Sequence, residues 1–146
     1  MIKAQPLGYF RKGFTLIELL IVIAILGVLA AATIAVLDPI DKIRGGNDSK
    51  VQSDIITIGK GAEAYAAANN GVYPTDVTSM VSSGELRSAP TAPGGYTPYV
   101  WAGGGAGSFT ISGELRSKKY NATPVFKYTS ATGKSCTSSS IVGDCP

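Results

Sequence analysis

The chain has no histidine, a single tryptophan and only two cysteines among its 146 residues. The missing imidazole removes the commonest general base and a frequent zinc ligand together. No GxSxG segment, no phosphate-cradling GxxxxGK[ST] loop and no metal-spaced cluster takes its place. Acids are also sparse late in the chain: from Asp76 onward only Asp76, Glu85, Glu114 and Asp144 occur. Glu85 and Glu114 each sit in the segment GELRS, an exposed-turn pattern that reads as solvated surface rather than as a carboxylate pair. So few acids make no oxygen cage for calcium. The glycines between Gly103 and Gly107 read as a loop, without the strand–turn–helix frame of a nucleotide fingerprint. These absences argue against catalysis; neither a cofactor nor a metal is expected.

Charge is uneven. The chain carries 13 Lys+Arg against 10 Asp+Glu. Lys3, Arg11 and Lys12 precede Phe14 and no acid does, so removing them leaves ten of each sign. The basic excess belongs to the N-terminal tip, where it marks the cytoplasmic side of an inserted helix. It does not call for a dedicated nucleic-acid site.

What the chain has in abundance is a long apolar run. From Phe14 to Leu37 only Thr15, Glu18, Gly27 and Thr33 are not plainly apolar. As a helix this run is about 36 Å long, enough to cross a bilayer core. Its fifteen Phe, Leu, Ile and Val residues favour insertion by roughly 4.5–9 kcal/mol, against about 3 for Glu18. The helix therefore inserts in spite of its acid. On energy alone, a plain single-pass anchor carrying a small binding domain is compatible with this run. A cleaved secretory signal with its cut in AAATIA fits worse, because the core is too long.

Beyond the run, LDPID interrupts and restarts a helix. Pro39 lacks an N–H and collides with the preceding turn, while Asp38 is a good N-cap with Pro39 at the first helical position. Ile40, Ile43, Val51, Ile55, Ile58, Ala62 and Tyr65 then recur at helical steps, with Asn47 filling the one gap. NNGVYP ends the stripe. TDVTSMVSSGEL allows a short helix, SAPTAPGG a loop. Three strand-like runs follow at 96–101, 108–116 and 123–130, with turns at 103–107 and 117–121. Phe109, Ile111 and Gly113 alternate with Thr110 and Ser112 as in a strand with one covered face. So small a sheet needs a helix to cover it, and the stripe ending at Tyr65 supplies one. Cys136 and Cys145 lie outside the membrane on this reading. That compartment favours a disulfide closing a short C-terminal loop over two free thiols.

The segment KGFTLIELLIVIAILGVLAA, Lys12 to Ala31, closely resembles the N-terminal signature of type IV pilins and of their pseudopilin relatives in type II secretion and DNA uptake. The resemblance is specific over Lys12–Ala32 and weak after Asn69. It implies that a membrane-embedded prepilin peptidase cuts after Gly13 and methylates the new N-terminus at Phe14. It makes Glu18 the assembly determinant. Physically, cleavage frees an amine on Phe14, and Glu18 of a neighbouring subunit neutralises it, so that neither charge is isolated in a low-dielectric bundle. Gly27, Ala31 and Ala35 add a face where helices can approach closely.

The implied fold is α+β and pilin-like: a long N-terminal helix, half transmembrane and half amphipathic, packed on a small antiparallel sheet of three or four strands. The implied parts are a leader at 1–13, a transmembrane and filament-core helix at 14–37, an amphipathic helix at 38–70 and a head at 71–146. The implied partners are further copies in a helical filament, the prepilin peptidase, an inner-membrane assembly platform with its ATPase, and membrane lipid before assembly. The protein is expected in the inner membrane with its N-terminus cytoplasmic, then in a surface pilus. A late disulfide and the lack of a calcium cage favour a pilus subunit over a type II secretion pseudopilin. Many members carry a proline where this chain has Val36, so any segment that melts on assembly is expected near Ala35–Asp38.

Overall fold

The computed structural model describes residues 13–141, Gly143 and Cys145. Helix α1 spans Leu16–Leu37 and α2 Pro39–Ala68. A short helix α3, Val77–Ser82, precedes four strands: β1 Val100–Gly103, β2 Phe109–Glu114, β3 Val125–Thr129 and β4 Lys134–Ser138. Contacts divide the chain into two units, Met1–Pro39 and Ile40–Pro146.

In the first unit, α1 has no buried residue. It follows the apolar run closely, because its fourteen Leu, Ile and Val residues leave little reason to break. It stops at Leu37. Asp38 takes a left-handed conformation, φ 40° and ψ 68°, and α2 starts at Pro39. Residues before proline avoid the right-handed helical region, and aspartate is one of the few types that tolerate the left-handed one. Asp38 thus closes α1 in a backbone state different from the extended one expected of an N-cap.

In the second unit, α2 covers one face of the sheet. Val51, Ile55, Ile58 and Ala62 meet Met80, Leu86, Phe109, Ile111, Leu115, Phe126 and Tyr128 in one core. The stripe read from sequence is right from Val51 onward. Its first two members are not core: Ile40 and Ile43 remain 61% and 66% exposed. The buried residue one step before Val51 is Asp48, whereas Asn47 is half-buried. Gly59 lets the Tyr128 ring approach the helix backbone, since a Cβ there would stand 2.6 Å from two ring atoms. The helix ends by a turn in which the Gly71 amide donates to Ala66 O at 2.8 Å, with Asn70 and Gly71 both at positive φ.

The sheet is antiparallel in the order β1-β2-β3-β4. Trp101 pairs with Ile111 and Ile111 with Tyr128, on the face toward α2. Val100, Ser112, Lys127 and Cys136 form a row on the other face. That face is partly covered as well. Ser112 and Lys127 are buried, and the Lys127 ammonium donates to Gly143 O at 2.7 Å. The first strand starts later than the run at 96–101 implies. Pro98 has no N–H for a ladder, and Tyr96 and Tyr99 give their hydroxyls to α2 instead. The segment after β2 holds a single 3-10 turn, Lys118–Tyr120.

Candidate functional site: the start of the apolar helix and the fastenings of the head

Gly13, Phe14 and Thr15 precede the first helical residue, Leu16. Thr15 is the N-cap, with an extended backbone at φ −82° and ψ 149°. Its hydroxyl oxygen accepts from the Glu18 amide at 3.3 Å. Glu18 answers: its Oε2 accepts the Thr15 amide at 2.9 Å and the Thr15 hydroxyl at 2.7 Å. This is a capping box, which satisfies donors that the first turn of any helix leaves open. The pattern Thr-x-x-Glu is legible in TLIE. Gly13 is exposed, and Phe14 is 74% exposed. The leader preceding Gly13 lies outside the described residues.

From Leu16 to Leu37 the helix is long and apolar enough to cross a membrane. Its large side chains are exposed in the single chain, among them Leu16, Val28 and Val36 at 80%, 71% and 84%. A surface this apolar needs lipid or another protein against it.

The head is fastened by acids on α2. Asp48 accepts the amides of Arg116 and Ser117, each at 2.9 Å, and the Tyr96 hydroxyl at 2.8 Å. Burial works against its charge. The Ser117 hydroxyl, those two amides and Tyr96 outweigh burial and hold the carboxyl below its ordinary range. Asp54 accepts the Tyr99 hydroxyl at 2.6 Å and pairs with Lys50. Glu63 accepts the hydroxyls of Tyr73 at 2.9 Å and Tyr128 at 3.1 Å. Burial, and then these carboxylates, push the tyrosines up: Tyr96 and Tyr128 to about 12, with Tyr73 and Tyr99 also raised. Glu114 is not simply solvated surface. It receives the Arg116 guanidinium on both oxygens and the Thr97 amide, and lies below its ordinary pKa chiefly through Arg116.

Cys136 and Cys145 are joined in a disulfide, with Cα atoms 5.7 Å apart. Among the described residues no group of three His, Cys, Asp or Glu side chains could hold a metal ion.

Residues 10–34 match the family described as the prokaryotic N-terminal methylation motif. The chain is also 42% identical over 79 residues to the type IV wide pilus major component PilA4 of Thermus thermophilus. Over that stretch the chain is similar to a type IV pilus subunit. The matched stretch is 54% of this chain and 57% of that relative's length, so the chain spans a little over half of the curated pilin it matches. The segment that matches the methylation motif runs across the start of α1. The capping box of Thr15 and Glu18 falls inside the matched segment.

Proposed function

We propose that this chain is a type IV pilin, a structural, non-catalytic subunit of a type IV pilus, made as a precursor and processed at Gly13–Phe14. A prepilin peptidase removes residues 1–13 and methylates Phe14. Residues 14–37 then anchor the subunit in the inner membrane, with the N-terminal side cytoplasmic, and later form the filament core. Residues 38–70 carry that helix into the head, and 71–146 complete the head. Lipid covers α1 before assembly. Other copies cover it afterwards, recruited through an inner-membrane platform and its ATPase, and the finished fibre is extracellular.

The observation that carries this reading is the methylation motif over residues 10–34, lying on a helix with no buried residue and one acid near its start. Glu18 supplies the charge that a freed Phe14 amine on a neighbour requires. A buried pair of this kind sets register between subunits more than it adds stability. Asp38 and Pro39 break the helix, and any segment that melts on assembly is proposed near Ala35–Asp38. The Cys136–Cys145 disulfide, and the pilus named in the Thermus relative, favour a pilus over a pseudopilus.

The test is the Glu18→Gln precursor in cells that assemble the wild-type chain. Glutamine preserves the capping box but not the charge. Mature protein beginning at methylated Phe14, present in the membrane but absent from surface fibres, is expected. Normal fibres from the variant would refute the charge pairing. A wild-type chain that starts elsewhere than Phe14 would refute the processing. Processed wild-type chain that forms no long fibres without overexpression would make it a pseudopilin.

A further inference from the structure

We propose that Asn70 is a site of spontaneous covalent modification, its side-chain amide being converted to a carboxylate through a ring closed by the backbone nitrogen of Gly71. The asparagines of the chain are Asn47, Asn69, Asn70 and Asn121, and only Asn70 is followed by glycine. A side chain on the following residue hinders ring closure, and glycine offers none. The reaction needs water and no other co-reactant. The Gly71 nitrogen loses its proton to hydroxide and attacks Cγ of Asn70. The N–Cγ bond forms, the Cγ–Nδ2 bond breaks, and Nδ2 leaves as ammonia with a proton taken from water. A second water then opens the cyclic imide at either carbonyl, giving aspartate or isoaspartate at position 70.

The fold exposes this pair and restrains it. Asn70 and Gly71 lie exposed in the turn that ends α2, with φ at 55° and 81°. A Cβ at Gly71 would meet nothing within 4 Å, so the turn calls for glycine through its backbone and not for want of space. The attacking nitrogen is engaged: the Gly71 amide donates to Ala66 O at 2.8 Å, and Ala66 is 5% exposed. Taking the proton from that amide would leave a charged nitrogen facing a carbonyl oxygen, so the bond to Ala66 must break first. The chain beyond the turn is pinned by paired bonds between Tyr73 and Gly105, at 2.8 and 2.9 Å. Opening is therefore confined to the helix end, where fraying costs least. Asn69 differs on both counts, because a side chain follows it and its Nδ2 donates to Tyr65 O at 2.8 Å. The product alters the charge of the subunit. From Phe14 onward the side chains balance at ten of each sign, so each conversion leaves one negative charge in excess. It falls just past the C-terminal end of α2, where the helix dipole disfavours an anion. Repeated along the fibre proposed above, that charge accumulates with age; the conversion itself does not depend on the fibre.

The experiment incubates the full-length chain in detergent at mildly alkaline pH, folded and in denaturant. Peptide masses and isoaspartate content then follow each asparagine with time. In the folded chain position 70 should convert ahead of the others. It should do so about fivefold or more slowly than in denaturant, the effect of one hydrogen bond on the fraction of reactive turn. Gly71→Ala, measured in denaturant where folding plays no part, should slow conversion several-fold. No conversion at Asn70 in the folded chain overturns the proposal, as does Asn121 converting first. Equal rates in the folded and denatured chain overturn the restraint by Ala66. Gly71→Ala reacting as fast as wild type in denaturant overturns the ring through Gly71.

Discussion

Ser117 gives its backbone amide to Asp48 Oδ2 at 2.9 Å, joining residues 69 positions apart in sequence. The neighbouring Arg116 amide reaches Oδ1 of the same side chain, so a single carboxylate on α2 fixes the chain as it leaves β2. Asp48 is 1% exposed. Its removal leaves the buried Ser117 amide without its acceptor and takes one from the Arg116 amide and from the Tyr96 hydroxyl, which keeps Arg44 O at 3.2 Å.

Asp48→Ala should therefore destabilise the head by about 3 kcal/mol, and Asp48→Asn, which keeps one acceptor, by about 1–2. The pH dependence gives a separate check. The folded pKa lies below the unfolded value of about 3.9. The stabilisation is thus complete above that value and is lost as pH falls through the folded pKa. Denaturation followed by Trp101 fluorescence between pH 5 and pH 2 should show a shallower loss in Asp48→Asn than in wild type. Equal slopes would mean that Asp48 is not an acid-sensitive support.

The disulfide should matter to the outer face of the sheet. It ties Cys145 to β4 and brings Gly143 within reach of Lys127. Closing so short a loop is worth about 2–3 kcal/mol on the chain-entropy account. Reduction should lower the denaturant midpoint accordingly, and the variant with both Cys136→Ser and Cys145→Ser should no longer respond to reductant. A midpoint unmoved by reduction would show that the C-terminal segment is held by other contacts.

Much of this chain is legible in its sequence because two signals are strong. An uninterrupted apolar run can only be a long helix, and Val51, Ile55, Ile58 and Ala62 keep helical step to the residue. The step also leads back from Val51 to Asp48, but a polar type on an apolar stripe reads as a gap, so the pattern does not mark this anchor. The position of strand β4 is not legible for a related reason. Lys134–Ser138 has no apolar alternation, and its place comes from pairing with β3. GELRS occurs twice with Leu86 and Leu115 both buried, yet only Glu114 gains an arginine, because only there does the chain leave a strand. Local pattern reports burial of the leucine; the partner of the acid is set by tertiary structure.

At the alkaline end, the tyrosines reverse the sign of the Asp48 effect. Their folded pKa values are raised, so their stabilisation is present below the unfolded value near 10 and is lost as pH climbs through the folded values. Tyr96 and Tyr128 lie near 12 when folded. Stability should therefore fall steadily from pH 10 to pH 12. Tyr128→Phe should remove part of that slope while costing about 1 kcal/mol at pH 7 through the lost bond to Glu63. Absorbance titration should find these phenols ionising together with unfolding. Free titration near pH 10 in the folded protein would refute the fastening.

Gly45 and Gly59 make the last comparison, because the same substitution should have opposite signs at two places in one helix. Both lie within α2, where alanine is favoured over glycine by about 1 kcal/mol. At Gly45 a Cβ would meet nothing within 4 Å, so Gly45→Ala should stabilise by up to about that amount. At Gly59 the Cβ would lie 2.6 Å from Cγ and Cδ1 of Tyr128. These atoms are at the root of the ring, not its tip, and Tyr128 is buried on β3 with its hydroxyl on Glu63. The ring cannot withdraw without moving the strand, and overpacking of this kind costs about 1–3 kcal/mol. Gly59→Ala should therefore be destabilising even after its helix-propensity gain. Denaturation midpoints of the two variants, measured against wild type, should move in opposite directions; a gain at Gly59 would mean that helix and sheet can separate at no cost.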